Sequence, residues 1–343
     1  MATRALPALG SDGARAAALP PVLALDVGGT KLAAGVVDAA GTTHSFLAEP
    51  TLPERGPADT VQRLLDLGRR AVAESGIGWA EIAAVGIGCG GPLDVATGTV
   101  LAPPHLPGWR ELPLAALVEE EYDRPAALEN DATAAAAAEH AWGAGAGTRH
   151  MVYLTLSTGV GGGVVADGRL YRGARGNGAE LGHVTVEGGT RGCRGCGRRG
   201  CLEAYVSGTS IAERAREALA ADGAGSSLSA LGEPTAADVV AAARAGDPLA
   251  SAVWRETVDA FGSGLTSIVN VFEPELVVVG GGVSSAGDAL LAPARDYVRA
   301  RAIVPGAAAL DVVPAALGER VGVVGAAAVV LDRIGSGAVA TRG

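Results

Sequence analysis

Short, almost wholly apolar runs alternate along this chain with glycine-rich breaks, and their spacing predicts an α/β protein. A strand opens at Val22 as VLALDVGG, turns through Gly28, Gly29 and Thr30, and returns as KLAAGVVDAAG. That is a hairpin with a glycine tip. A helix is expected over 58–75, followed by the strand IAAVGIG, a Pro-rich loop over 92–113, a strand near 125–128 and an Ala-rich helix starting after Asp131. From Met151 the opening pattern recurs as MVYLTLSTGVGGGVVADGRLY: a strand, a Ser/Thr-Gly turn and a glycine-lined return strand ending in Asp-Gly. The recurrence marks an internal duplication. Residues 205–260 read as helical around a Gly/Ser/Pro-rich insert at 222–235, PELVVVGGGVSSAG as a buried strand stopped by three glycines, and GAAAVVLDRIG as a closing helix.

Composition narrows the function. A chain of 343 residues, 48% hydrophobic, can bury enough core for two lobes. No apolar run approaches the roughly 18–20 residues that span a bilayer, because Gly, Pro or a charge interrupts each one. Membrane functions are excluded on that ground. The first 21 residues lack both a continuous apolar segment and an amphipathic helix, so they read as the loose tail of a cytoplasmic protein. A net charge of −10 opposes unassisted binding to a phosphate backbone, and nucleic acid is not an expected partner. The single lysine, Lys31, follows Thr30, so the GxxxxGK[ST] phosphate loop is absent. Residues 86–91 satisfy GxGxxG after a strand, but Pro92, Leu93 and Asp94 follow, and no helix starts where a dinucleotide's pyrophosphate needs one.

The two Gly-turn hairpins carry a clearer chemical signal. Backbone N–H groups at such turns form anion nests that phosphate oxygens approach without side-chain obstruction. One nest in each lobe suits a nucleotide gripped across a cleft; the bland alternative is an ordinary turn using glycine for positive φ. Asp26, just before the first turn, is placed to hold Mg²⁺ through oxygen or water contacts. In LENDATAAAAAEHAWG, Asp131 reads as the helix N-cap, a role compatible with that of a fixed carboxylate accepting a hydroxyl proton in phosphoryl transfer.

Six segments then combine. LDVGGTK at 25–31, ENDA at 129–132, LSTGVGGG at 156–163, GAELGH at 178–183, CGRRGCLE at 196–203 and VGGGVS at 279–284 resemble, in order, the motif set of the ROK family of sugar kinases and sugar-responsive repressors. The likeness covers nearly everything after Val22. The loop GGPLDVATGTVLAPPHLPGWRELPL also resembles the sugar-side loop of bacterial ROK glucokinases. The resemblance implies a two-lobed actin/Hsp70/hexokinase-like (ribonuclease H-like) fold with an interlobe cleft. Its small lobe would span 22–131, joined by the C-terminal helix at 322–335, and its large lobe 132–321, with a zinc-binding loop at 183–203. It also implies an ATP-dependent hexose kinase, glucokinase foremost, with other hexose or N-acetylhexosamine kinases as alternatives, working as a homo-oligomer, dimer or tetramer. A ROK repressor needs a winged-helix reader before the first hairpin, and 21 residues are too few for one.

Site residues follow from the same likeness. Asn130 and Asp131 would bind sugar hydroxyls with Asp131 as base, Glu180, His183 and Glu203 would hold further ring hydroxyls, and Gly90 and Gly91 would line the pocket. Asp26, Gly28, Gly29, Thr30 and Lys31 would form the first phosphate loop, and Thr158, Gly159, Gly161 and Gly162 the second. Gly280, Gly281 and Gly282 would sit near the nucleoside. His183 with Cys193, Cys196 and Cys201 supplies the four N/S ligands of a closed structural Zn²⁺ site, which the family carries. A disulfide is the competing reading, weakened by the clustering of three cysteines far from Cys89 and the lack of a secretion signal. One departure stands out: the family usually separates its first two cysteines by one residue, whereas Arg194 and Gly195 both lie between Cys193 and Cys196.

Overall fold

The computed structural model describes residues 19–337. Of the tail expected over 1–21, residues 1–18 lie outside the described residues, while Pro21 accepts a hydrogen bond from the Ala83 amide at 3.0 Å.

In chain order the elements are β1 (Val22–Val27), β2 (Lys31–Val37), β3 (Leu47–Pro50), α1 (Pro57–Ser75), β4 (Val85–Cys89), β5 (Leu93–Asp94), β6 (Thr99–Val100), α2 (Leu114–Tyr122), β7 (Ala126–Asn130) and α3 (Asp131–Trp142). Then come β8 (Met151–Leu156), β9 (Val160–Ala166), β10 (Arg169–Leu170), α4 (Glu203–Val206), α5 (Gly208–Asp222), α6 (Ala236–Arg244), α7 (Pro248–Phe272), β11 (Leu276–Gly280), α8 (Asp288–Arg301), β12 (Asp311–Pro314) and α9 (Val321–Gly335). The chain groups into two compact units, one of residues up to 149, 163–179 and from 316 onward, the other of 150–162 and 180–315.

The first unit is built on the sheet β3-β2-β1-β4-β7. Here β1 runs antiparallel to β2 and parallel to β4, which is parallel to β7. Alternate residues of a strand point to opposite faces, and both faces are covered, so β1 is apolar nearly throughout. Leu23, Leu25 and Ile87 pack on one side with Leu64 and Leu67 of α1 and Leu114 of α2. Ala24, Ala33 and Ala84 pack on the other with Val323, Ala327 and Val330 of α9. Small residues set how closely α9 approaches. A Cβ on Gly86 would lie 2.0 Å from the Ala326 carbonyl oxygen, and one on Gly325 would lie 2.6 Å from the Ala134 backbone. The sequence division falls at Asp131, whereas the contacts carry this unit through Arg149, because α3 packs along α9.

The second unit is organised by the sheet β10-β9-β8-β11-β12, in which β8, β11 and β12 run parallel. Its helices gather round α7, which starts at an Asp247 cap accepting from the Ala250 amide, with Pro248 in the first helical position. Both hairpins inferred from sequence are present, as are the closing helix and the strand before the glycine triplet. The dinucleotide fingerprint at 86–91 leads from β4 into the small β5–β6 hairpin and not into a helix, as its sequence context indicates.

Candidate active site

Parallel pairing brings the ends of β1, β4 and β7 to one edge of the first sheet. Asp26 is in register with Gly88, and Cys89 with Asn130. At this edge the β1–β2 turn is closed by the Gly28 amide donating to the Lys31 carbonyl at 2.9 Å. Thr51 braces it, donating its hydroxyl to the Gly28 carbonyl at 2.7 Å and its amide to the Thr30 carbonyl at 3.0 Å. At Gly29 the turn has no room for a side chain: a Cβ there would come within 2.8 Å of the His105 Cβ. The sequence-predicted residues Asp26, Gly28, Gly29, Thr30 and Lys31 therefore form one compact loop.

The helix cap beside it corrects the sequence reading. Asn130, not Asp131, is the N-cap of α3, its Oδ1 accepting from the amides of Ala132 at 3.0 Å and Thr133 at 3.1 Å. With two N–H donors fixing which end is oxygen, the Asn130 Nδ2 is left to face Gly91, whose Cβ position lies 3.5 Å from it. Asp131 is the first helical residue. Its Oδ1 accepts from the Ala132 amide at 2.8 Å, and its Oδ2 lies 3.9 Å from the Cβ position of Gly90. A carboxylate in a first helical turn also sits at the favourable end of the helix dipole.

Burial raises the Asp131 carboxyl above its ordinary range, against the Ala132 N–H and the charge of His105, which lower it. Burial, reinforced by the Asp131 charge and opposed by Lys31, pushes Asp26 up from 3.8 to about 7. Between them the buried Cys89 thiol is held protonated, by burial first and then by both carboxylates. Gly322 makes room for Asp26: a Cβ there would lie 2.1 Å from its Oδ2.

Sequence reasoning overlooked two groups of this unit. His105, inside the Pro-rich loop, lies against Gly29, and its only sequence signal is that loop. Glu129, the first letter of ENDA, is wholly buried and accepts from Arg172 Nε at 2.6 Å and from the Asn130 amide at 3.2 Å, with Arg333 at 3.8 Å. A buried carboxylate needs such partners, and Arg172 lies 43 residues away.

In the second unit the β8–β9 turn is closed by the Ser157 amide donating to the Gly159 carbonyl at 2.9 Å. A cavity of about 660 Å³ adjoins it, lined by Thr158, Thr209, Arg216, Arg244 and Gly282 among others. Gly280 and Gly281 are not among its lining residues. Gly281 has φ of +83°, and its Cβ position is 2.4 Å from the Leu156 carbonyl oxygen. Nor do Gly159, Gly161 or Gly162 line it; a Cβ on Gly162 would strike Leu181 at 2.6 Å. That contact lays GAELGH directly on the return strand. Ala179, just before Glu180, holds φ of +65°, a conformation costing about 1–3 kcal/mol outside glycine and typical of functional segments.

Glu203, at the start of α4, accepts from the Val160 amide at 3.0 Å through Oε2, while Cys193 donates to its Oε1 at 3.3 Å. His183 Nδ1 lies 3.7 Å from Cys193 Sγ, and the sulfurs of Cys196 and Cys201 are 3.5 Å apart. All four ligand atoms lie within 4.8 Å of one another. Metal bonds of 2.0–2.3 Å in a tetrahedron separate ligand atoms by about 3.5–3.8 Å, whereas a disulfide would bring two sulfurs to about 2.05 Å. All four cysteines are free. The longer Cys193–Cys196 spacing is absorbed at Gly195, where a Cβ would collide with Glu203 Oε1 at 2.5 Å.

The ROK family model matches residues 22–333. The chain belongs to the ROK family. It is 37% identical to a glucokinase of Thermotoga maritima over 92% of this chain and 98% of that protein. Among solved structures, a ROK hexokinase of Thermus thermophilus matches with a TM-score of 0.74 at 38% identity, over 90% of this chain and 97% of that one. A ROK glucokinase of Streptomyces griseus, solved with glucose and AMPPNP, matches with a TM-score of 0.77 at 36% identity, over 90% of this chain and 98% of that one. These ROK likenesses give the fold class: α/β, two-lobed and actin-like.

Asp26 also gives a pH signature that needs no ligand. In the folded chain it keeps its proton up to about pH 7, but once unfolded it ionises near 3.8, so the native state holds the extra proton between these values. Its contribution to stability is therefore lost as pH rises through that window. Asp26→Asn removes this slope: by urea unfolding, the stability of the variant relative to wild type is expected to rise from about pH 5 to pH 7. A difference that stays flat would contradict the raised pKa.

Proposed function

We propose that this ROK protein is an ATP-dependent hexose kinase acting foremost on D-glucose, giving glucose 6-phosphate and ADP, with Asp131 as general base. The observation that carries the reading is the partly buried carboxylate of Asp131, held by its own helix start beside Gly90 and at the same sheet edge as the Gly28–Gly29 turn. The glucokinase and hexokinase likenesses across nine-tenths of the chain support it.

In the proposed reaction Asn130 and Asp131 bind the acceptor end of the sugar, and Gly90 and Gly91 leave room for its ring. Glu180, His183 and Glu203 take further hydroxyls, since carboxylates and an imidazole match vicinal O–H groups as acceptors and donors. Asp131 accepts the proton of the attacking hydroxyl as the γ-phosphoryl group transfers. A carboxylate with a raised pKa is a stronger base than a free one, yet it must be ionised to act, so the balance with His105 and Ala132 N–H matters. Asp26, Gly28–Lys31 and Thr158–Gly162 cradle the phosphates, with the nucleoside near Gly280–Gly282. Mg²⁺ bound with the nucleotide would screen phosphate charge, and Asp26 would hold it through oxygen or water contacts. Cys193, Cys196, Cys201 and His183 fit Zn²⁺ by ligand type and spacing; bound there, it supplies structure alone by pinning His183 and the loop before Glu203.

Cytoplasmic location, a place at the entry to glycolysis and a dimeric or tetrameric state extend the same reading. No described helix is long and apolar enough to cross a membrane.

Asp131→Asn keeps the acceptor for the Ala132 amide and is expected to keep glucose binding while kcat falls by about 10²–10⁴, the usual size of a general-base loss. Near-normal turnover would remove Asp131 from the role. Cys196→Ser is expected to lose zinc, read by elemental analysis, together with glucose affinity, read by calorimetry. Retained glucose affinity in zinc-free protein would sink the organising role of the metal.

A further inference from the structure

Between β10 and Glu180 the chain makes a small closed loop whose polar side chains reach back to the sheet edge bearing Asn130 and Asp131. The Gly178 amide closes it on the Arg172 carbonyl at 2.9 Å, and Gly173 and Gly178 pack so closely that a Cβ on Gly178 would lie 2.9 Å from the Gly173 nitrogen. Its base is fixed by the Arg172–Glu129 ion pair. Next to its closing bond, Asn177 Oδ1 accepts from the Leu93 amide at 3.0 Å, and its Nδ2 donates to the Leu93 carbonyl at 2.8 Å and to the Arg175 carbonyl at 3.2 Å.

The two bonds to Leu93 form a backbone ladder completed by a side chain. β5 is only two residues long and pairs with β6 on one edge alone, Leu93 opposite Val100. Val100 turns its own amide and carbonyl outward to Leu112, and Leu93 turns its pair outward to Asn177. A primary carboxamide carries the same donor and acceptor as a peptide group, so Asn177 stands where a neighbouring strand would be. Leu93 lies two residues beyond Gly91, and the Cβ position of Gly91 is 3.5 Å from Asn130 Nδ2 and 3.9 Å from Asn177 Oδ1. The Gly90–Gly91 turn thus lies between the helix cap on one side and Asn177 on the other, and Asn177 bonds the chain two residues on, at Leu93.

We infer that Asn177 is a positioning residue for the sugar, acting by clamping the Gly90–Leu93 turn against Asn130. The inference rests on the sugar-kinase reading for its consequence, but the clamp itself does not. Two hydrogen bonds of ordinary net strength correspond to about a tenfold change in an equilibrium. In Asn177→Ala the KM for glucose is expected to rise about tenfold, with the KM for ATP unchanged and kcat changed less than the glucose KM. Asn177→Asp, which keeps the acceptor for the Leu93 amide but turns a carboxylate oxygen on the Leu93 and Arg175 carbonyls, is expected to raise the glucose KM at least as far as the alanine variant. Separately, hydrogen exchange of the Leu93 amide in sugar-free protein is expected to speed up about tenfold in Asn177→Ala. An unchanged glucose KM in folded variants, or equal rises in both KM values, would overturn the positioning role. Unchanged exchange at Leu93 would overturn the clamp. A wild-type protein that turns over no sugar would remove the kinase reading and the sugar role together, while exchange at Leu93 would still decide the clamp.

Discussion

Two amide hydrogen bonds accepted by the Asn130 side chain fix the start of α3, and the chemistry of the first unit depends on them. A cap of this kind is worth about 1 kcal/mol, but its geometric consequence is larger. Because Asn130 takes the capping role, the Asp131 carboxylate is left facing the Gly90 turn, and the Asn130 amide nitrogen is turned toward Gly91. The helix that follows cannot drift. Gly163 and Gly325 let neighbouring backbone touch it at Ala136 and Ala134. At its far end the wholly buried Glu139 accepts from the amides of Ala144, Ala316 and Leu317 at 2.8–3.1 Å. Below its start, Glu129 is neutralised by Arg172. Removing one member of such a buried pair strands the other's charge, which makes the junction unforgiving of substitution.

The second unit uses a comparable economy around Glu203. One carboxylate oxygen holds the Val160 amide on the return strand while the other meets Cys193, so the β8–β9 hairpin and the cysteine loop share a single support. Arg191 extends that support through paired hydrogen bonds to Glu217 of α5, a helix whose earlier residues Thr209 and Arg216 line the large cavity. Of the other arginines in the cysteine loop, Arg194 pairs with Glu213 and Arg198 donates to the His183 carbonyl at 3.1 Å.

Local features were legible in the sequence; long-range pairings were not. Glycine turns between apolar runs announced both hairpins, and the charge and proline following residues 86–91 showed that no nucleotide helix begins there. The cysteine cluster and His183 marked four side chains whose ligand atoms the fold brings within 4.8 Å of one another. The identity of the α3 cap was misread because Asn and Asp are both good caps and stand side by side, so that only the hydrogen bonds separate them. α8 escaped notice because Pro293 lies inside it, where proline ordinarily breaks a helix, and β12 because it is only four residues long. Asn177 and Arg172 act on residues 84 and 43 positions away, a relation no spacing rule conveys.

The most direct test of this account is ATP-dependent phosphorylation by the purified protein across a panel of hexoses and N-acetylhexosamines, with sugar-free ATP hydrolysis measured alongside. Robust turnover on glucose with little hydrolysis in its absence is the result the account predicts. Folded, zinc-loaded protein that phosphorylates none of these sugars would contradict it.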